Sequence, residues 1–314
     1  MSSTSEQTGA SATATAASTL TPALFKRLHP RPYLTKFLQE GIRPDARPLY
    51  DPSTSSAIQA SDAWRDASVN LGSVSTAPSS SLVRLGKTTV VCGITLEIAP
   101  PDLETPDQGF IVPNIDLSPL CSPIFRPGPP SDQSQVISSR LRDILVSSNV
   151  VPLESLCIER GKSAFVVYLD LVCLNYDGGV LDAAVLACVG ALKSLTLPRA
   201  EFDVDSGETI CEPVTAECPG TRIPLGSLPC AVSFGYFNGH LLPDPTQFES
   251  QLSTSHLTIV LDPTTTTTEK KRNKDRKLLG VYQAGAPIDG ARDILEACIE
   301  MAQQRAEELS RLLQ

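Results

Sequence analysis

Apolar positions fall into recognisable rhythms along the chain. From Ser81 to Ile98, β-branched and aliphatic residues flank a central Gly86-Lys87, which predicts a β-hairpin. Ala164–Leu174 is a near-continuous apolar run, read as a strand buried on both faces. Ser131 can cap a helix running to about Asn149, with Val136, Ile137, Leu141, Ile144 and Leu145 on one face. A second helix, rich in Ala, Leu and Val, is expected from Gly179 to about Leu195. Upstream, apolar and basic residues mix from Phe25 to Leu38. Pro30 and Pro32 split that stretch into two short helical turns ending at Gly41. Nine prolines between residues 100 and 130 predict an extended, loop-like segment.

The second half repeats the order more loosely. Strands are expected at Ala231–Phe237, Leu257–Leu261 and Leu278–Ala284. The last segment, Gly290 to Leu313, places Ile294, Cys298, Ala302, Ala306 and Leu309 at helical spacing. Strands followed by helices, twice over, predict an α+β layer fold. The organisation read from this is a disordered tail at 1–20, a first half at 21–200 and a second half at 201–314. A polar, basic hairpin tip is expected at 264–277. The tail carries Ser, Thr or Ala at fifteen of its twenty positions, a composition that cannot build a core.

Composition narrows the classes. With 26 Lys+Arg against 35 Asp+Glu the formal charge is −9, which argues against bulk nucleic-acid affinity but not against a local basic patch. No run of 18 apolar residues exists, so no membrane partner is expected. The nine cysteines are scattered singly and only three histidines occur, a poor basis for a metal site and a good one for small buried hydrophobes. Two Gly-Lys-Thr/Ser triplets, at 86–88 and 161–163, fail as phosphate loops. The glycine required five residues earlier is Ser81 or Leu156, and each triplet leads into a strand.

The informative constellation is Asn175-Tyr-Asp-Gly-Gly-Val-Leu-Asp182, where a strand ends, glycines turn the chain and a helix begins. The first reading of Asp177-Gly178-Gly179 is a tight strand-to-helix turn with a capping aspartate. A helix N-terminus after such a turn is also a natural anion site. With Ile42-Arg-Pro-Asp-Ala-Arg47, the 81–98 hairpin, Gly109–Ser122, Arg126-Pro-Gly-Pro-Pro130 and Leu156-Cys-Ile158, the segment resembles the ribonuclease PH family, and within it the ring subunits of the eukaryotic RNA exosome. The resemblance runs from about Phe25 to Leu313. It implies a ribonuclease PH-like fold of two βα halves, mixed sheets packed on helices, with a first half like ribosomal protein S5 domain 2. Sister ring subunits, an S1-domain cap subunit and RNA in the assembled channel are the implied partners. Work in the nucleus, nucleolus and cytoplasm is implied as well.

The resemblance also implies where this chain departs from active members. These cleave RNA from the 3′ end with inorganic phosphate, held by a Gly-Thr-Arg pattern. Here Val180 stands for the threonine and Leu181 for the arginine, and Asp182 brings a carboxylate into the first helical turn. A family cluster of aspartates in the second half matches Leu242–His256, where only Asp244 and Glu249 are acidic and Ser253, Thr254 and Ser255 follow. Pro113-Asn-Ile-Asp116 replaces a more aromatic pattern. The expectation is a degenerate phosphate site at Val180, Leu181 and Asp182, with no catalytic residue, metal or cofactor. Support of 3′–5′ RNA processing and decay as a structural subunit follows. The rival reading is an active phosphate-dependent exoribonuclease. For Lys270, Lys271, Arg272, Lys274, Arg276 and Lys277 a solvated loop is the default reading, with RNA contact or a nuclear-import signal as the alternatives. Arg43, Arg47, Arg65 and Arg84 either face RNA or pair with acids.

Overall fold

A computed structural model describes residues 21–50, 63–203, 209–212, 214, 220–263, 277–288 and 290–313. Two helices open it, α1 (Pro22–Leu28) and α2 (Pro30–Gln39), and each begins on a proline, whose fixed φ suits a first helical position. The first sheet follows, with β1 (Ala67–Leu71), β2 (Ser79–Leu85), β3 (Thr88–Ala99), β4 (Phe110–Asp116), β5 (Cys157–Glu159) and β6 (Ser163–Asn175). Its order is β1-β2-β3-β6-β4, with β5 also pairing β6. The hairpin turns at Gly86-Lys87, with Leu85 opposite Thr88.

Two sequence expectations need correction here. The proline-rich stretch is not all loop: β4 lies in it, parallel to β6, with Phe110 opposite Val166 and Asp116 opposite Val172. Pro113 is tolerated because β4 is an edge strand among the described residues, with β6 on one side and no described strand on the other. The strand β6 is buried on both faces only from Ser163 to Val167. Beyond that it alternates, with Asp170, Val172 and Leu174 turned outward.

Ser131 caps α3 (Asp132–Ser147) by accepting from the Ser134 N–H, worth about 1 kcal/mol. Its inner face carries Ile137, Leu141, Ile144 and Leu145, whereas Val136, expected with them, is exposed. The centre of the molecule is α4 (Val180–Ser194), with every residue from Val180 to Leu192 buried. A helix apolar all round must be covered all round, and α4 packs on β1, β2 and β3 of the first sheet and on β11 (Cys230–Phe237) of the second.

Short pairs link the halves: β7 (Thr196–Leu197) with β10 (Thr221–Arg222), and β8 (Ala200–Phe202) with β9 (Thr209–Cys211). The second sheet runs β12-β11-β13-β14, with β12 at His240–Pro243, β13 at Ser255–Asp262 and β14 at Lys277–Gly285, all antiparallel. Between β12 and β13 sits α5 (Gln247–Leu252), and α6 (Ala291–Leu312) closes the fold. One core joins both halves, since Cys230, Ala231, Val260, Ala306 and Leu309 pack with residues of β2, β3, β6 and α4. A second cluster sets Trp64 against Phe234, Cys298 and Met301, and a third seats Leu34 and Leu38 of α2 on Phe237 and Leu242. No helix among the described residues is long and apolar enough to cross a membrane.

Candidate functional site

Strand β6 ends at Asn175 and α4 begins at Val180, so the chain must reverse in four residues. Gly178 and Gly179 do this with φ of +80° and +65°. A Cβ on Gly178 would lie 2.6 Å from the Pro245 carbonyl oxygen, so the turn is pressed against the segment leading into α5. The expected aspartate cap is absent: Gly179 is the N-cap and no side chain caps the helix. Instead Thr88 Oγ1 accepts from the Asp177 N–H at 3.0 Å and donates to the Gly178 carbonyl at 2.7 Å. Arg65 Nη1 donates to the Asp177 carbonyl at 2.8 Å, and the Gln247 N–H donates to the same oxygen at 3.1 Å.

Arg65 joins the turn to Asp244. Its Nε donates to Asp244 Oδ2 at 2.9 Å, its backbone N–H donates to the same oxygen at 3.2 Å, and its Nη2 reaches Oδ1 to make a forked pair. That nitrogen also lies 2.6 Å from where a Gly179 Cβ would stand, so the guanidinium fills the space beneath the turn. Asp244 itself is held at φ +47°, a conformation that favours Asn, Asp and Gly. Burial opposes its ionisation, but the hydrogen bonds and charge of Arg65, with Arg47, outweigh burial and hold its carboxyl below the usual range.

A second pair lies alongside. Arg43 and Glu249 are both fully buried. Arg43 Nε donates to Glu249 Oε1 at 2.8 Å and Nη2 to Oε2 at 2.5 Å. Arg43 Nη1 donates to the Pro243 carbonyl at 2.7 Å. Glu249 also accepts the Thr246 N–H at 2.9 Å, closing a capping box with Thr246 at the start of α5. Arg47 bonds Asp45, the Ala63 carbonyl and the Asp244 carbonyl. Of the four arginines in question, Arg43, Arg47 and Arg65 therefore pair with acids and carbonyls. Arg84 bonds the Gly86 carbonyl at 3.0 Å from an exposed position. The only two acids of the 242–256 segment are consumed in these pairs.

The three residues assigned to the phosphate position lie at the first turn of α4. Val180 and Leu181 are buried and apolar, and both line a cleft of about 440 Å³ with Gly178, Gly179, Arg140, Tyr176 and His256. Arg140 sits 5.5 Å from the Tyr282 ring centroid. Burial pushes the His256 imidazole down. Asp182 turns to β11, where its oxygens accept from the Ser233 N–H at 2.9 Å and from Ser233 Oγ at 2.8 Å. Burial, reinforced by the charge of Asp244, pushes the Asp182 carboxyl up to about 7 against the pull of Ser233 and Arg65.

Of the residues for which RNA contact is an alternative, Lys270, Lys271, Arg272, Lys274 and Arg276 lie outside the described residues. Lys277 opens β14 opposite Asp262. Sequence reasoning missed the Arg43–Glu249 and Arg65–Asp244 pairs. Their partners are 206 and 179 residues apart. The Thr246…Glu249 capping-box spacing was the one local signal that could have placed α5. Among the described residues no group of His, Cys, Asp and Glu is arranged to hold a metal ion. Among the described residues six cysteines are buried, Cys157 is half-buried and Cys211 is exposed. Burial pushes the thiols of Cys230 and Cys298 up to about 12.

Residues 63–198 match the 3′ exoribonuclease family, domain 1, and residues 227–305 match domain 2 of the same family. Over 289 residues the chain is 38% identical to the exosome complex component rrp43 of Schizosaccharomyces pombe, covering 91% of this chain and 95% of that protein. It is 32% identical over 232 residues to the exosome complex component Rrp42 of Thermococcus onnurineus, covering 74% and 79%. Among solved structures it resembles a chain of the Archaeoglobus fulgidus exosome with RNA bound to the active site. That match has a TM-score of 0.72 at 27% identity and covers 90% of this chain and 97% of that one.

Proposed function

Because this chain belongs to the ribonuclease PH family of 3′ exoribonucleases, we propose that it is a ring subunit of an RNA exosome and carries out no phosphorolysis itself. The observation that carries the second part is the occupied turn. Where an arginine and a threonine would meet phosphate, the chain presents Leu181 and Val180, both buried. The guanidinium that does lie under Gly179 is committed to Asp244. Phosphate needs free donors and a net positive field. Here the arginine beneath the turn, Arg65, is already neutralised by Asp244, and Arg140 across the cleft lies against the Tyr282 ring.

Proton transfer to a leaving oxygen would need an acid free to reach it. Asp244 and Glu249 are each held by an arginine, and Asp182 is turned away to Ser233. In this reading the chain supplies interfaces and part of a channel wall. Its work is support of 3′–5′ RNA processing and decay, including rRNA maturation, in nucleus, nucleolus and cytoplasm. Sister ring subunits and an S1-domain cap subunit are its partners, and RNA passes through the assembled channel. Purification of the tagged full chain from its native cells, followed by native mass measurement, tests this. A complex holding several ribonuclease PH-like chains is expected, and a monomer free of such partners would overturn the assignment.

A further inference from the structure

The chain carries net charge −9, yet α1 and α2 hold four cations and no acid: Lys26, Arg27, Arg31 and Lys36, with His29 between the helices. Four largely buried arginines of the fold, Arg43, Arg47, Arg65 and Arg305, are tied to carboxylates, while exposed Arg84 bonds a backbone carbonyl. None of the four on α1 and α2 is ion-paired among the described residues, and Arg27, Arg31 and Lys36 are exposed.

Aromatic rings run between these charges. The Phe25 and His29 centroids are 5.6 Å apart, Phe25 and Tyr33 6.3 Å, and Tyr33 and Phe37 4.8 Å, with Phe248 of α5 joined edge-on at 5.9 Å. Lys26 Nζ sits 4.2 Å from the Phe248 centroid and Lys36 Nζ 5.2 Å from that of Phe25. The inner face is fully used, since Leu34 and Leu38 are buried on Phe237 and Leu242. What remains outward is a strip of unpaired cations and partly open rings.

From this charge complementarity we infer that the outer face of α1 and α2 is a contact surface for single-stranded RNA, with Arg27, Arg31 and Lys36 on the phosphates and His29 and its neighbouring rings against the bases. Single strands are held by a cationic track lined with rings on which bases stack without regard to sequence. An anionic membrane is the poorer fit, because the strip offers only Leu24 and Leu28 as large exposed aliphatics, too little apolar surface to embed a helix. An acidic peptide would satisfy the cations but leave the rings unused. The inference rests on the exosome reading for the availability of RNA. It adds a surface separate from the cleft at Gly178, built from residues other than the segment at 270–277.

The test uses the full chain, a fluorescent fifteen-nucleotide oligouridylate and a salt series, read by anisotropy. Replacing three exposed cations, Arg27→Gln with Arg31→Gln and Lys36→Gln, should weaken binding about tenfold or more near 0.1 M salt. It should also make the slope of log K against log salt shallower by about 2, at about 0.7 for each phosphate left without its cation. His29→Ala should weaken binding about fivefold by removing a stacking ring. Ultraviolet crosslinking should place RNA on residues 22–39. An unchanged unfolding midpoint by Trp64 fluorescence establishes that the variants fold.

Equal affinity of variant and parent, with no crosslink in 22–39, overturns the inference. So does a larger loss of binding to phosphatidylserine vesicles or polyglutamate than to RNA. The ring assignment is scored separately by native mass. Variants that still join the ring but bind RNA normally sink only this proposal, and a parent that joins no ring sinks the assignment instead.

Discussion

Glu249 is the sharpest place to perturb the network beneath the strand-to-helix turn. Its two oxygens accept from Arg43 Nε at 2.8 Å, Arg43 Nη2 at 2.5 Å, the Thr246 N–H at 2.9 Å and Thr246 Oγ1 at 3.0 Å. Neither residue of the pair is exposed to solvent. A glutamine at 249 keeps the shape but offers one acceptor oxygen, so its amide NH₂ faces donors whichever way it turns. It also leaves Arg43 charged and buried without a counterion. Breaking one side of such a pair costs about 3–5 kcal/mol. Arg43→Met should cost as much, since it also strips donors from the Pro243 and Asp244 carbonyls. The double variant Arg43→Met with Glu249→Met removes the charge penalty and should show a coupling of about 2 kcal/mol or more in a double-mutant cycle. Urea unfolding followed by Trp64, the only tryptophan, reads this directly, because Trp64 packs edge-on to Phe234 at 5.8 Å and lies beside the network. A Glu249→Gln cost under about 1 kcal/mol would refute the structural role and return this acid to the pool of catalytic candidates.

Other outcomes follow from the same geometry. Asp182 titrates near 7 in the fold against 3.8 for an ordinary aspartate, so the folded state keeps a proton that the unfolded state has released. Stability relative to Asp182→Asn should therefore fall as pH rises from 5 to 8, by about 2–3 kcal/mol; a pH-independent difference in urea midpoints would contradict it. Gly178→Ala sets a Cβ 2.6 Å from the Pro245 carbonyl at φ +80°, and should cost about 3 kcal/mol or more in the same unfolding assay. A thiol reagent at neutral pH should label Cys211 at once, and the six buried cysteines only when the fold opens. Prompt native labelling of Cys173 or Cys298 would mean that the core breathes more than its packing allows.

Much of the fold was legible in local pattern. The 81–98 hairpin, α3 with its Ser131 cap, α4 and α6 all announce themselves by period and by capping or turn residues, because each depends on neighbours in sequence. The strand β4 does not: its apolar alternation is hidden by prolines, and its pairing with β6 is parallel and more than fifty residues distant. The turn at 177–179 was legible as a turn, but its cap was not. Its backbone groups are served by Thr88 and Arg65, brought in by the first sheet rather than by any residue of the turn. In the same way the fate of Asp244 and Glu249 could be read as a shortage of acids but not as two closed ion pairs, since pairs spanning about two hundred residues leave no spacing to read.

The central claim, a family fold whose phosphate position is filled from within, is tested most directly by nucleoside diphosphate release. The full chain is incubated with single-stranded oligoadenylate, inorganic phosphate and magnesium, beside an active ribonuclease PH on the same substrate. Adenosine diphosphate at the level of the enzyme-free control is the predicted result. Phosphate-dependent release within about tenfold of the active enzyme would contradict the account, because neither Leu181 nor an Arg65 held by Asp244 could then be what occupies the site in solution.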